Sequence, residues 1–160
     1  MISASTSKAK ICKVHSSQLT VDSLELTIWS KMARHLAIFD REAAAAIFSG
    51  KKKIEGRFSQ IKIAPYGRVS AGDVVLIKIS GEAVVGQFSV DRVIYFDHPT
   101  NDEVGEIKKK YGRSLALPVT FWLEREKIKF ASLMFIKSAT KFIIPPQIPK
   151  KDLRGWVVLQ

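Results

Sequence analysis

The stretch Ser49-Gly50-Lys51-Lys52-Lys53-Ile54-Glu55-Gly56-Arg57-Phe58 decides how the rest of the chain is read. Four cationic side chains and one carboxylate fall within residues 51–57, just after a run of helix formers. Ile54 and Phe58 give the stretch an apolar face, so it is more than a solvated run of charge. Side chains alternate between the two faces of a strand. Alternation puts Lys53, Glu55 and Arg57 on one face and Ile54, Gly56 and Phe58 on the other. Lys52 stands at the junction of helix and strand, where parity gives no direction. Physics alone leaves two readings open. One is an edge strand whose cations discourage aggregation and whose Glu55 makes exposed pairs worth about 0–1 kcal/mol. The other is a binding strand in which Glu55 orients Lys52 or Arg57, or accepts from a base amino group.

Upstream, residues 35–39 predict a strand. Asp40 follows as an N-cap, since its carboxylate accepts from free backbone N–H groups of the next turn. Ala43 to Ala46 favour helix, with Ala44, Ile47 and Phe48 as the buried stripe. Gly50 fits the position after a helix where positive φ is required. The helix therefore hands the chain through a glycine into the basic strand.

Downstream, residues 60–64 read as a continuation of that strand, and Pro65-Tyr66-Gly67-Arg68 as a turn. Gly72-Asp73 opens a short apolar, β-branched run at 74–77, which reads as a buried strand. Ser80-Gly81-Glu82 makes a hairpin connection. Residues 84–91 alternate as a half-buried strand, with Gly86 marking a bend or bulge. Thr100 or Asn101 caps a helix through Val104, Ile107 and Lys108 to Tyr111, which Gly112 ends. Pro118 opens a further helix with Phe121, Trp122 and Leu123 partly buried. Residues 130–136 and 155–159 read as strands. Pro145 to Pro149 is extended and unfit for a central strand.

With 160 residues, 46% of them hydrophobic, the chain has enough for a real core. The net charge of +11 and a pI near 9.9 favour polyanionic partners such as RNA, DNA or an anionic membrane. Cys12 is the only cysteine, so no intrachain disulfide forms, which fits a reducing, cytoplasmic location. No run approaches the ~20 apolar residues of a membrane span, and no signal peptide is seen. The first 21 residues lack acids, as organelle presequences do, but also lack Arg and a clear amphipathic face. Residues 18–31 carry Val21, Leu24 and Ile28 at helical spacing. Met32 offers an alternative start, with 1–31 as an extension.

His15, His35 and His98 are widely separated, and no HExxH or Cys-pair spacing exists, so no metal or other cofactor is expected. The P-loop and the nucleophile elbow are absent too. Lys51, Lys52, Lys53, Arg57, Lys62 and Arg68 are opposed only by Glu55 between positions 50 and 72. Such a run suits phosphate, with Arg adding a planar fork. Lys108, Lys109, Lys110 and Arg113 read as an exposed helix face. Lys150, Lys151 and Arg154 form a third basic group. Tyr66, Tyr111 and Trp122 are options for base stacking, against core packing for Trp122 and Trp156.

Read as Gly-x-Lys-x-x-Glu-x-Arg, with Gly50, Lys52, Glu55 and Arg57 at its four fixed positions, the opening stretch resembles the signature of the ASCH domain family. The order of elements from about Arg34 to Leu159 resembles the ASCH arrangement, and residues 1–31 lie outside it. The resemblance implies an α+β fold: a small, partly open β-barrel of PUA-like type with five to seven strands and two to four flanking helices. It divides the chain into an N-terminal extension, 1–31, partly flexible with a short helix, and a domain at 32–160. It implies binding of RNA, single-stranded or structured, or of a nucleotide-like ligand, in a basic cleft formed by Lys52, Glu55 and Arg57. Lys51, Lys53 and Arg68 would contact phosphates. The alternatives are a small hydrolase of amidohydrolase or ribonuclease type, with Lys52 and Glu55 as acid–base pair, and a coactivator-like module with protein partners. In the amidohydrolase members the motif lysine works with a threonine where Glu55 stands here, so that nucleophile is missing. They also use a later glutamate; Glu103 and Glu106 lie in the corresponding region.

Overall fold

The computed structural model describes residues 32–148 and 154–159; the readings for 1–31 and for Lys150 and Lys151 lie outside the described residues. Six strands form one curled sheet: β1 (Arg34–Phe39), β2 (Ile54–Ser59), β3 (Val74–Ile79), β4 (Val84–Asp97), β5 (Phe130–Lys141) and β6 (Trp156–Leu159). Their order is β2-β5-β4-β3-β1-β6. Only the β1–β3 pair is parallel; the other four are antiparallel. Helix α1 (Arg41–Phe48), helix α2 (Asn101–Leu115) and a 3-10 segment (Val119–Lys127) complete an α+β half-barrel of the expected type.

Period-two alternation sorts the strands' side chains into two main cores and a smaller cluster of Leu36, Leu76 and Val84. On one face Phe39, Ile77, Phe88, Met134 and Trp156 pack with Ala44 and Ile47 of α1. On the other, Ile54, Ala131 and Leu133 pack with Val104, Ile107 and Leu115 of α2 and with Trp122. The expected parity holds along β2: Ile54 and Phe58 join the α2 side, while Arg57 lies over Phe39 and Trp156.

Four local expectations are overturned. β2 stops at Ser59, whose hydroxyl donates to Ile61 O at 2.7 Å and turns the chain before the cis Ala64–Pro65 bond. β4 runs on to Asp97, because register shifts around Val90 and Arg92 let it bend and keep pairing with β5. Helix α2 passes through Gly112 to Leu115, which is fully buried one turn beyond Tyr111; Ala116 ends it at φ +49°. Leu123 is exposed. Thr100 caps α2 as expected, within a full capping box with Glu103.

Candidate functional site

Helix α1 is kept to two turns by its ends. Asp40 Oδ1 accepts from Ala43 N at 2.6 Å, and Gly50 sits at φ +73°, where a glycine carries no Cβ penalty. Lys52 N then donates back to Ala46 O at 2.9 Å, which holds the chain against the helix end. The Lys52 side chain is thereby buried, and Lys53 is exposed. Lys52, whose direction parity left open, thus lies with Glu55 and Arg57 where Lys53 was expected.

The three motif side chains form one ionic chain. Lys52 Nζ donates to Leu115 O at 2.7 Å and lies 3.3 Å from Glu55 Oε2. Leu115 is the last residue of α2, so its carbonyl carries the partial negative charge of a helix C-terminus. Glu55 Oε1 accepts from Arg57 Nε at 2.7 Å, and Arg57 Nη2 donates to Ile38 O at 2.9 Å. The guanidinium is 5.0 Å from the Phe39 ring centroid and 5.4 Å from that of Trp156. β2 and β6 are the two edges of the sheet and β1 lies next to β6, so this one arginine ties an edge strand to the strand behind the opposite edge. Gly56 makes the arrangement fit: a Cβ there would lie 2.6 Å from Leu115 Cδ2.

This chain is not fully satisfied. Glu55 Oε2 is buried without a hydrogen bond, its contact with Lys52 being charge alone. Arg57 has five N–H donors, of which Nε and one on Nη2 are used above. Its Nη1 faces the gap left by the missing side chain of Gly155, whose Cβ would stand 3.7 Å away.

That gap belongs to a cleft of about 160 Å³ lined by Arg57, Ser59, Pro65, Tyr66, Ser132 and Trp156. Sharing Ile63, Ala64, Gly155 and Trp156, it opens into a groove of about 700 Å³ that runs past Arg68, Arg154 and Val158. A guanidinium held on two sides at the floor of an aromatic-walled cleft suits a planar anion or a carbonyl-bearing ring.

Two further polar groups shape the walls. Trp156 Nε1 donates to His35 Nδ1 at 3.3 Å, so His35 carries its proton on Nε2 and donates to Asp73 Oδ2 at 3.0 Å. Asp73 also accepts from Ala33 N at 2.9 Å and Ser70 N at 2.8 Å. His35 is fully buried. On the opposite wall Tyr66 donates to Asp97 Oδ2 at 3.3 Å, and His98 Nδ1 bonds the other oxygen. The His98 hydrogen bond holds the Asp97 carboxyl below its ordinary range. Desolvation, then the Asp97 charge, pushes the Tyr66 hydroxyl up.

The remaining expected residues scatter. Arg68 lines the groove, whereas the exposed Lys51 and Lys53 belong to the far end of β2. Lys108, Lys109, Lys110 and Arg113 lie on the exposed side of α2. Tyr111 and Trp122 pack in the second core. Glu103 is used in the capping box, and Glu106 faces Lys109 at 3.8 Å. Sequence reasoning missed Ser132, Gly155 and the two backbone acceptors. Ser132 did leave a signal, as the lone polar residue in the apolar run 130–136.

Among the described residues no helix is long and apolar enough to cross a membrane. No family model matches the sequence, and no curated protein matches it. Solved structures do. The ASCH protein of Zymomonas mobilis superposes with a TM-score of 0.60 at 18% identity, covering 79% of this chain and 87% of that one. Crystal structures of two of its point variants superpose with TM-scores of 0.61 at 18% and 17% identity, covering 79% of this chain and 90% and 88% of theirs. The fold is therefore that of the ASCH domain, within the PUA-like class.

Proposed function

We propose that this chain is an ASCH-type protein that binds RNA, or a nucleotide-like piece of it, with Arg57 as the central contact. The observation that carries the reading is the Arg57 guanidinium itself. It is 27% exposed, clamped by Glu55 and Ile38 O, and has N–H groups left over at the floor of the cleft. Tyr66 and Trp156 offer ring surface beside it, and Arg68 stands along the groove. The net charge of +11 supports a polyanion. Lys52 and Glu55 act as positioning residues, since each side chain is 5% exposed and held by protein partners.

The test is binding of short single-stranded RNA across a salt series, with Arg57→Ala alongside and product formation followed in the same tubes. About four phosphate contacts give a slope of log affinity against log salt near −3. Arg57→Ala should lower affinity at least ten-fold at an unchanged far-ultraviolet spectrum. Salt-independent binding, or binding indifferent to Arg57, would overturn the reading. Cleavage that depends on Arg57 would move it to the hydrolase alternative.

A further inference from the structure

The lysines of the motif point to a second contact site. Lys53 and Lys137 flank a hollow of about 290 Å³ at the end of β2 opposite the Arg57 cleft, with Gly50, Phe48 and Ser138 in its lining. Lys53 O accepts from Ile136 N at 3.0 Å, which sets the two lysine-bearing segments side by side. Lys51 follows Gly50 and is exposed. Lys141 Nζ lies 5.3 Å from the Phe48 ring centroid. No carboxylate lines the hollow, and among the described residues Lys51, Lys53 and Lys137 form no ion pair. An adjoining hollow shares Lys137 and Ser138 and has one acid, Asp91, in its lining.

Lys53 and Lys137 repel one another across a concave surface whose lining carries no carboxylate, and such a surface focuses the field. The inner wall of the hollow is Lys52, the far end of the ionic chain that fixes Arg57. The two sites are thus the two ends of one strand. From Lys53 to Arg57 is four residues, about 13 Å at 3.3 Å per residue. A stacked nucleic-acid strand advances about 3.4 Å per nucleotide, so about four nucleotides cover that span.

We propose that the hollow between Lys53 and Lys137 is a second phosphate-contacting site, and that the partner is a nucleic-acid strand long enough to reach both it and the Arg57 cleft. A mononucleotide would fill only the cleft. The inference rests on the nucleic-acid reading of the cleft and adds the length of the ligand to it.

The experiment measures the full chain against oligouridylates of 2, 4, 8 and 16 nucleotides at several salt concentrations. Affinity should climb between 2 and 8 nucleotides. Lys53→Glu/Lys137→Glu should weaken the 16-mer at least ten-fold more than the dinucleotide. It should also flatten the 16-mer salt slope by about 1.4, from about 0.7 for each of two lost contacts. Lys108→Glu/Lys109→Glu carries the same change in net charge on α2 and should not reproduce the length dependence. Equal losses at every length, or no loss, would overturn the second site while leaving Arg57-dependent binding intact. No binding at any length would overturn both readings. Polyglutamate binding as tightly as the 16-mer, with the same slope, would overturn the nucleic-acid assignment in favour of an acidic protein partner.

Discussion

Two buried polar centres flank the cleft, and they are built differently. Around Asp73 every polar atom is matched: two backbone N–H groups and His35 donate to the carboxylate, and Trp156 donates to the remaining ring nitrogen. Around Glu55 the accounts stay open, with one carboxylate oxygen lacking a hydrogen bond and N–H groups of Arg57 facing the cleft. A matched network rigidifies, whereas N–H groups left facing a cleft are available to a ligand. The first centre reads as scaffold, holding Trp156 in the wall. The second reads as the working part.

The sharpest way to break this contrast is to remove the carboxylate at the middle of the ionic chain. Glu55→Ala leaves Lys52 buried against a helix end and Arg57 without its orienting partner. Breaking a buried pair in this way costs about 3–5 kcal/mol, read as a fall in the urea midpoint. A midpoint equal to the parent's would mean that the ionic chain does not help to tie β2 to β1. Replacing Lys52 and Glu55 together by Met and Leu should recover most of the stability and leave ligand affinity low, since Arg57 is then unpositioned.

Next in size is the isosteric change in the other centre. Asp73→Asn keeps the shape but turns one acceptor into a donor that faces an N–H. Leaving such a group unsatisfied costs about 1–3 kcal/mol. The thermal midpoint should drop while RNA affinity, measured well below it, stays within two-fold. Glu55→Gln also removes the charge between Lys52 and Arg57, so it should lower both the midpoint and the RNA affinity. If the two variants behaved alike, the division into scaffold and working part would fail.

A smaller effect separates space from stability. The Cβ of Gly155→Ala would sit at an ordinary contact distance of 3.7 Å from Arg57 Nη1. Stability should move by no more than about 0.5 kcal/mol, as surface substitutions do. Affinity should still fall several-fold, because the methyl group occupies the approach to the guanidinium. Unchanged affinity would place the ligand elsewhere along the groove.

The same contrast explains what was legible beforehand. Parity along β2 separated Glu55 and Arg57 from Ile54 and Phe58 because alternation is local and one face is buried. It could not direct Lys52, which precedes the strand and whose orientation depends on where α2 ends. That end was misread at Gly112, since one glycine costs a helix only about 1 kcal/mol against Ala, less than burying Leu115 gains. The partners of the site are mostly distant in sequence: Ile38 O, Leu115 O, Ser132 and Gly155 meet Lys52 or Arg57 only through the tertiary fold. Asp73 looked like half of a turn because its other role lies 38 residues away at His35.

The smallest expected effect concerns the third ionic group, which serves as an exposed reference for the two buried ones. His98 and Asp97 are 63% and 53% exposed, so water screens their attraction and its share of stability is slight. Its trace is in the titration. The His98 hydrogen bond is the largest cause lowering the Asp97 carboxyl, and the Tyr66 hydroxyl is a lesser one. A carboxyl lowered by folding adds stability that is complete above its unfolded value, near pH 4, and disappears as pH falls through the folded value. Followed by its carboxyl carbon shift, Asp97 should titrate closer to the ordinary value in His98→Ala. In Tyr66→Phe it should move by less. A larger shift in Tyr66→Phe would reverse the ranking and make Tyr66 the group that holds Asp97 ionised. The cleft wall would then depend on the same exposed carboxylate at low pH, and RNA affinity should fall with Asp97 protonation in the parent but not in Tyr66→Phe.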